Sequence, residues 1–91
     1  MTRVERVMPE LLAEMRQDLA GNPFRREFVL LKRARGYWES GTELFYYFDD
    51  HPDLLSKVRI LENEGFVRDV TTKNVQRYRM SEPLARYLGA P

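Results

Sequence analysis

At Gly65 the hydrophobic period of this chain changes from helical to alternating, and that switch limits the folds open to it. Upstream, Leu54, Leu55, Val58 and Leu61 recur at the spacing of one α-helical face. Downstream, Phe66 to Thr71 alternates weakly and Val75 to Met80 more clearly, with Thr72-Lys73-Asn74 between them, a pattern that predicts a β-hairpin. A glycine at the junction adopts backbone angles that other residues resist, so the helix can turn sharply into a strand that packs back against it. A chain with this switch belongs to the α+β class, and the rest of the sequence tips the expectation toward mainly α.

The first segment carries Val4, Met8, Leu11, Leu12, Met15 and Leu19 on one helical face. Pro9 lacks an N–H and clashes with the preceding turn, so the helix proper is expected to begin near it and to end at Gly21. Asn22-Pro23 reads as a helix start, and the apolar run Phe28-Val29-Leu30-Leu31 predicts a central helix from Pro23 to about Arg35. A further helix is expected after Ser40-Gly41-Thr42, with Leu44, Phe45 and Phe48 on one side. Asp50 is a plausible cap for the helix over residues 53–64, on which Ser56, Arg59 and Asn63 lie opposite the buried stripe, with Lys57 nearer its edge. Ser81 restarts a short helix through Leu88. The expected domain division is an amphipathic helix over residues 1–21 followed by one domain over 22–91.

Composition removes several function classes. There are no cysteines and one histidine, which excludes disulfides, thiol nucleophiles and the common zinc sites. No catalytic Ser/His/Asp arrangement, phosphate-cradling glycine loop or cofactor motif can be assembled, so neither an enzyme nor a cofactor is expected. His51 reads as a turn residue. No apolar run approaches the roughly 20 residues of a membrane helix, and the charged opening MTRVERVMPE is not a secretory signal, so a cytosolic protein is expected. The net charge is only +1, but residues 25–35 hold five bases against one acid, residues 39–53 hold five acids and no base, and residues 56–79 hold six bases against three acids. A small total can conceal a basic face, and it can equally reflect internal pairing.

The stretch LLSKVRILENEGFV, followed by a hairpin ending RYRMSE, resembles the winged helix-turn-helix of small prokaryotic regulators such as the ArsR, MarR and PadR families. There a recognition helix ends in a leucine, a few charged residues and a glycine, and a basic wing follows. The upstream NPFRREFVLL resembles the first helix of that fold, so the resemblance spans residues 22–88. It implies four helices, a two-stranded wing over 66–80 and a short C-terminal helix. It also implies binding of double-stranded DNA, with Ser56, Lys57 and Arg59 in the major groove and Lys73, Asn74, Arg77 and Arg79 on the phosphate backbone. Arg59 would be the best reader of guanine, because a guanidinium can bond two acceptors at once. Asp49-Asp50-His51-Pro52-Asp53 departs from the family pattern, since carboxylates near phosphates repel them unless they are turned away as caps. The rival expectation is a protein-interaction module built on the aromatics of segment 37–48, Tyr37, Trp38, Phe45, Tyr46, Tyr47 and Phe48. The apolar stripe of the first helix, surplus to a bare winged helix, predicts a homodimer through residues 4–20. No effector ligand is indicated.

Overall fold

The computed structural model describes residues 2–33, 43–72 and 74–90. Within them the run Phe28-Val29-Leu30-Leu31 belongs to a strand, β1 (Glu27–Leu31), and not to the expected helix. A short apolar run fits a strand buried on both faces as well as it fits a buried helix. The second expected helix is also a strand, β2 (Leu44–Tyr47), in which an aromatic-rich stretch alternates buried and half-buried residues. The two lie parallel, with Phe28 opposite Leu44 and Leu31 opposite Tyr47. The hairpin expected after Gly65 is present as β3 (Val67–Asp69) and β4 (Arg77–Met80). It does not stand apart as a wing. Strand β4 pairs antiparallel with β1, which completes a four-stranded mixed sheet in the order β2-β1-β4-β3.

This layout overturns the winged helix-turn-helix expectation. The helix over residues 54–63 has no helical partner immediately before it, because the preceding segment is spent on β2. Among the described residues the sheet has four strands where a wing has two, so the α+β class stands but the winged-helix layout does not.

The helices are α1 (Thr2–Val7), α2 (Pro9–Gly21), α3 (Leu54–Asn63) and α4 (Glu82–Tyr87). The break between α1 and α2 falls at Met8, immediately before Pro9. Ser81 caps α4 by accepting a hydrogen bond from the Leu84 N–H at 3.2 Å. Gly65 holds φ at 80°, and the Phe66 N–H reaches back to the Leu61 carbonyl at 2.9 Å, so α3 closes and β3 begins within three residues. Asp53, at the N-cap of α3, adopts a left-handed conformation that aspartate tolerates.

Because side chains alternate along a strand, the sheet has two unlike faces. Phe28, Leu30, Leu44, Tyr46, Val67, Tyr78 and Met80 point to one side and join the buried residues of all four helices in a single core. Phe28 packs edge-on to Tyr46 and stacks near Tyr78, with ring centroids 5.4 and 5.7 Å apart. The opposite face carries Glu27, Val29, Leu31, Phe45, Tyr47, Arg68, Arg77 and Arg79.

The whole predicted stripe of the first segment, Val4, Met8, Leu11, Leu12, Met15 and Leu19, lies in this core. The Cα radius of gyration, 12.3 Å, is that of a compact chain of this length, with no projecting helix. The surplus apolar face on which the homodimer expectation rested is therefore consumed within the chain. At the surface Glu5 of α1 accepts hydrogen bonds from Arg16 of α2 and, at 2.7 Å, from the Tyr87 hydroxyl of α4.

Two outcomes follow from this packing. Leu12→Ala is expected to lower the free energy of unfolding in urea by about 2–5 kcal/mol, with a midpoint independent of protein concentration. A midpoint that rises with concentration would place this helix at a subunit interface instead. The bonds from Arg16 and Tyr87 hold the Glu5 carboxyl below its ordinary pKa. The unfolded chain therefore binds the proton first, and the stabilisation is complete above the ordinary carboxylate range and lost as pH falls through the lowered value. Glu5→Gln should flatten that acid limb of the urea midpoint against pH and leave the profile around neutrality parallel to wild type.

Candidate nucleic-acid interface

The six described residues among the seven expected to touch DNA do not share a surface. Ser56 and Arg59 are exposed on the outer side of α3, with Lys57 half-buried at its flank. They belong to the helical layer. Arg77 and Arg79 project from the opposite face of the sheet, because the intervening Tyr78 points into the core. Asn74 is exposed in the β3–β4 connection, and Lys73 lies outside the described residues.

Arg77 has a structural occupation. Its Nη1 donates to Glu43 Oε1 at 2.7 Å and to Glu27 Oε1 at 3.4 Å. Only 19% of its side chain and 5% of that of Glu43 are exposed. A guanidinium held between two carboxylates in a nearly dry site is not available to a phosphate, which corrects the wing assignment for this residue. Arg79 differs. Its side chain is 54% exposed, and its one ion pair among the described residues, with Glu27, is long at 3.6 Å. Arg68 sits directly beside Arg79 in the β3–β4 register, is exposed, and has no ion pair among the described residues.

Two residues missed by the sequence reading extend this pair. Phe24 and Arg25 follow Asn22-Pro23 in a turn, where a helix was expected. Phe24, Arg25, Arg26, Glu27 and Arg79 line one shallow depression, and Gly65, Arg68 and Arg79, with the Arg26-paired Glu82, help line the next. Arg79 is common to both, so the depressions adjoin. Arg26 is largely neutralised by Glu82, which its Nε reaches at 3.0 Å and whose carboxyl it holds below the ordinary pKa. Arg25 makes no ion pair among the described residues, and on its other flank it borders a depression lined by Glu14, Asp18 and Glu43. The signal for Arg68 was available, since it faces outward between Val67 and Asp69. That for Phe24 was hidden by reading Asn-Pro as a helix start.

The acidic turn is largely tied down. Asp49 accepts from the Arg33 N–H at 3.0 Å, and Asp50 pairs with the Arg33 guanidinium at 2.6 Å instead of capping α3. Arg33 also lies over the Tyr47 ring, 4.2 Å from its centroid. His51 is buried and corrects the simple turn reading: its Nε2 lies 2.5 Å from Glu14 Oε1, joining the turn to α2. Nearby, burial pushes the Tyr46 phenol far up from its ordinary pKa, reinforced by the charge of Asp18. Burial also raises the Asp18 carboxyl, by more than the neighbouring phenol lowers it. Tyr37 and Trp38 lie outside the described residues. Of the other aromatics in segment 37–48, Tyr46 is core, Phe48 packs against the core, and Phe45 and Tyr47 are half-buried on the second sheet face.

Comparison with protein-family models, with curated proteins and with solved structures finds no match for this chain. Among the described residues no helix is long and apolar enough to cross a membrane.

The contrast between two neighbouring arginines is measurable. Arg77→Ala removes the partner of a buried carboxylate and should cost about 1–3 kcal/mol in urea unfolding, because desolvated charge then loses a bond. Arg68→Ala, at an exposed position without a partner, should change stability by no more than about 0.5 kcal/mol. Equal costs for the two variants would refute the division of roles.

Proposed function

We propose that this protein binds nucleic acid by its phosphate backbone, through the exposed β3–β4 part of the second sheet face at Arg68 and Arg79 and the adjoining turn at Arg25. The observation that carries the reading is the side-by-side placement of Arg68 and Arg79 on β3 and β4, exposed and not saturated by carboxylates. Phosphate contacts by arginine supply the larger share of nonspecific affinity and fix register without reading sequence. DNA is the polymer toward which the sequence resemblance pointed. The surface proposed here replaces the recognition helix, because Ser56 and Arg59 lie on the far side of the sheet from Arg79 and cannot engage the same stretch of backbone.

Electrostatics sets a direction along this surface. Glu27 partly offsets Arg79, and the carboxylates of Glu14, Asp18 and Glu43 flank Arg25 on one side. A polyanion is repelled from that flank and favoured along the line from Arg25 through Arg79 to Arg68.

Fluorescence anisotropy with a labelled oligonucleotide tests this. Three arginine–phosphate contacts imply a loss of affinity of roughly 20- to 40-fold when salt rises from about 50 to 200 mM. Arg68→Ala with Arg79→Ala should weaken binding and reduce the salt slope by about two, while Glu27→Gln should strengthen binding by releasing Arg79. Affinity that ignores both salt and the double variant would overturn the proposal.

A further inference from the structure

We infer that Phe24 is a stacking platform for an unpaired base, so that the preferred ligand is a single-stranded nucleic acid. This rests on the phosphate-binding reading above and adds to it the form of the polymer.

Phe24 is 84% exposed, the most exposed of the chain's large hydrophobic residues in the described set. A phenylalanine so exposed within a loose segment would fold its ring onto any nearby apolar surface. This one is held out. The Asn22 N–H bonds back to the Asp18 carbonyl at 2.9 Å, and the Arg25 N–H bonds to the Asn22 carbonyl at 3.2 Å. The Arg26 guanidinium then closes the turn from the other side. Its Nη1 donates to the Pro23 carbonyl at 2.6 Å and to the Arg25 carbonyl at 3.0 Å, while its Nε is anchored to Glu82 at the start of α4. Pro23 fixes its own φ and stiffens the approach to the ring. Carbonyls on both sides of Phe24 are thus tied to one buried-stem arginine, and the ring is presented by a built turn.

What lies beside the ring decides its partner. The depression between Phe24 and the sheet is lined by Arg25, Arg26, Glu27 and Arg79, so the aromatic surface borders cationic groups. An apolar protein segment gains nothing from those charges. A nucleotide matches both: a flat π-face for the ring and a phosphate for the arginines. In a duplex the base faces are already covered by their neighbours, and only an unpaired base can offer one to Phe24. Arg68, one strand beyond Arg79, places a further cation where the backbone of the same strand can continue.

The test compares dT and rU oligomers with a duplex of equal length at one salt concentration, using the wild-type chain, Phe24→Ala and Phe24→Trp. The inference expects tighter binding of at least one single strand than of duplex, and the tighter of the two identifies the sugar. Phe24→Ala should weaken single-strand binding by roughly 5- to 150-fold with little change for duplex, and Phe24→Trp should restore it. Because Phe24 is exposed, the circular dichroism and urea midpoint of both variants should match wild type. If duplex and single strand bind alike and Phe24→Ala changes neither, the stacking inference is overturned while the phosphate surface stands. If no oligonucleotide binds, the phosphate surface itself is overturned, and this inference with it.

Discussion

The fold depends on β1 being dry on both faces and paired on both edges. Phe28, Val29 and Leu30 are all essentially inaccessible to water, β2 bonds along one edge and β4 along the other. No helix in this position could satisfy the same chain, because β4 would then lose the neighbour that keeps the hairpin attached to the body. The pairing of β1 with β4 brings residues 27–29 against residues 77–79 and so turns a would-be free wing into an interior strand. The side chains placed on the second face, Arg77 and Arg79 among them, follow from that single register.

Much of this arrangement was legible. The stripe from Val4 to Leu19, the break before Pro9, the helix ending near Gly65, the hairpin and the Ser81-capped final helix are all local patterns, and local patterns are what a sequence displays. The two errors, helix expected where β1 (Glu27–Leu31) and β2 (Leu44–Tyr47) lie, share a cause. In Phe28-Val29-Leu30-Leu31 every position is apolar, so neither period stands out, and the decision is made by partners far away in the chain. Leu44-Phe45-Tyr46-Tyr47 did carry a strand signal in its aromatics, but its parallel pairing with β1 is a tertiary event with no local signature. The resemblance to winged-helix regulators compounded this, since it assigned NPFRREFVLL, whose last five residues form β1, to the first helix of that fold.

The candidate site was less legible than the fold, for a related reason. Counting basic residues cannot distinguish a guanidinium that builds the protein from one that is offered to a ligand. Arg77 and Arg79 are two residues apart, point the same way and share Glu27, yet one also reaches the buried carboxylate of Glu43 and the other is half in water. Likewise Arg26 and Arg25 are adjacent, and only Arg26 is committed, to Glu82 and to two carbonyls. His51 meets Glu14 across a long stretch of sequence, which no spacing rule anticipates.

These commitments explain how the second face can hold its remaining charges in place. Arginines that are satisfied internally act as scaffolding for those that are not: Arg77 locks Glu27 and Glu43 beside the sheet, and Arg26 locks the turn that carries Arg25 and Phe24. The free side chains therefore stand on backbone already fixed by folding, so a ligand need not order that backbone and retains more of its contact energy. The same reasoning assigns Glu27 a limiting role. It steadies Arg77 and partly neutralises Arg79, so under the proposed phosphate-binding mode the contact would be modest and salt-sensitive, with the aromatic ring of Phe24 supplying the selectivity.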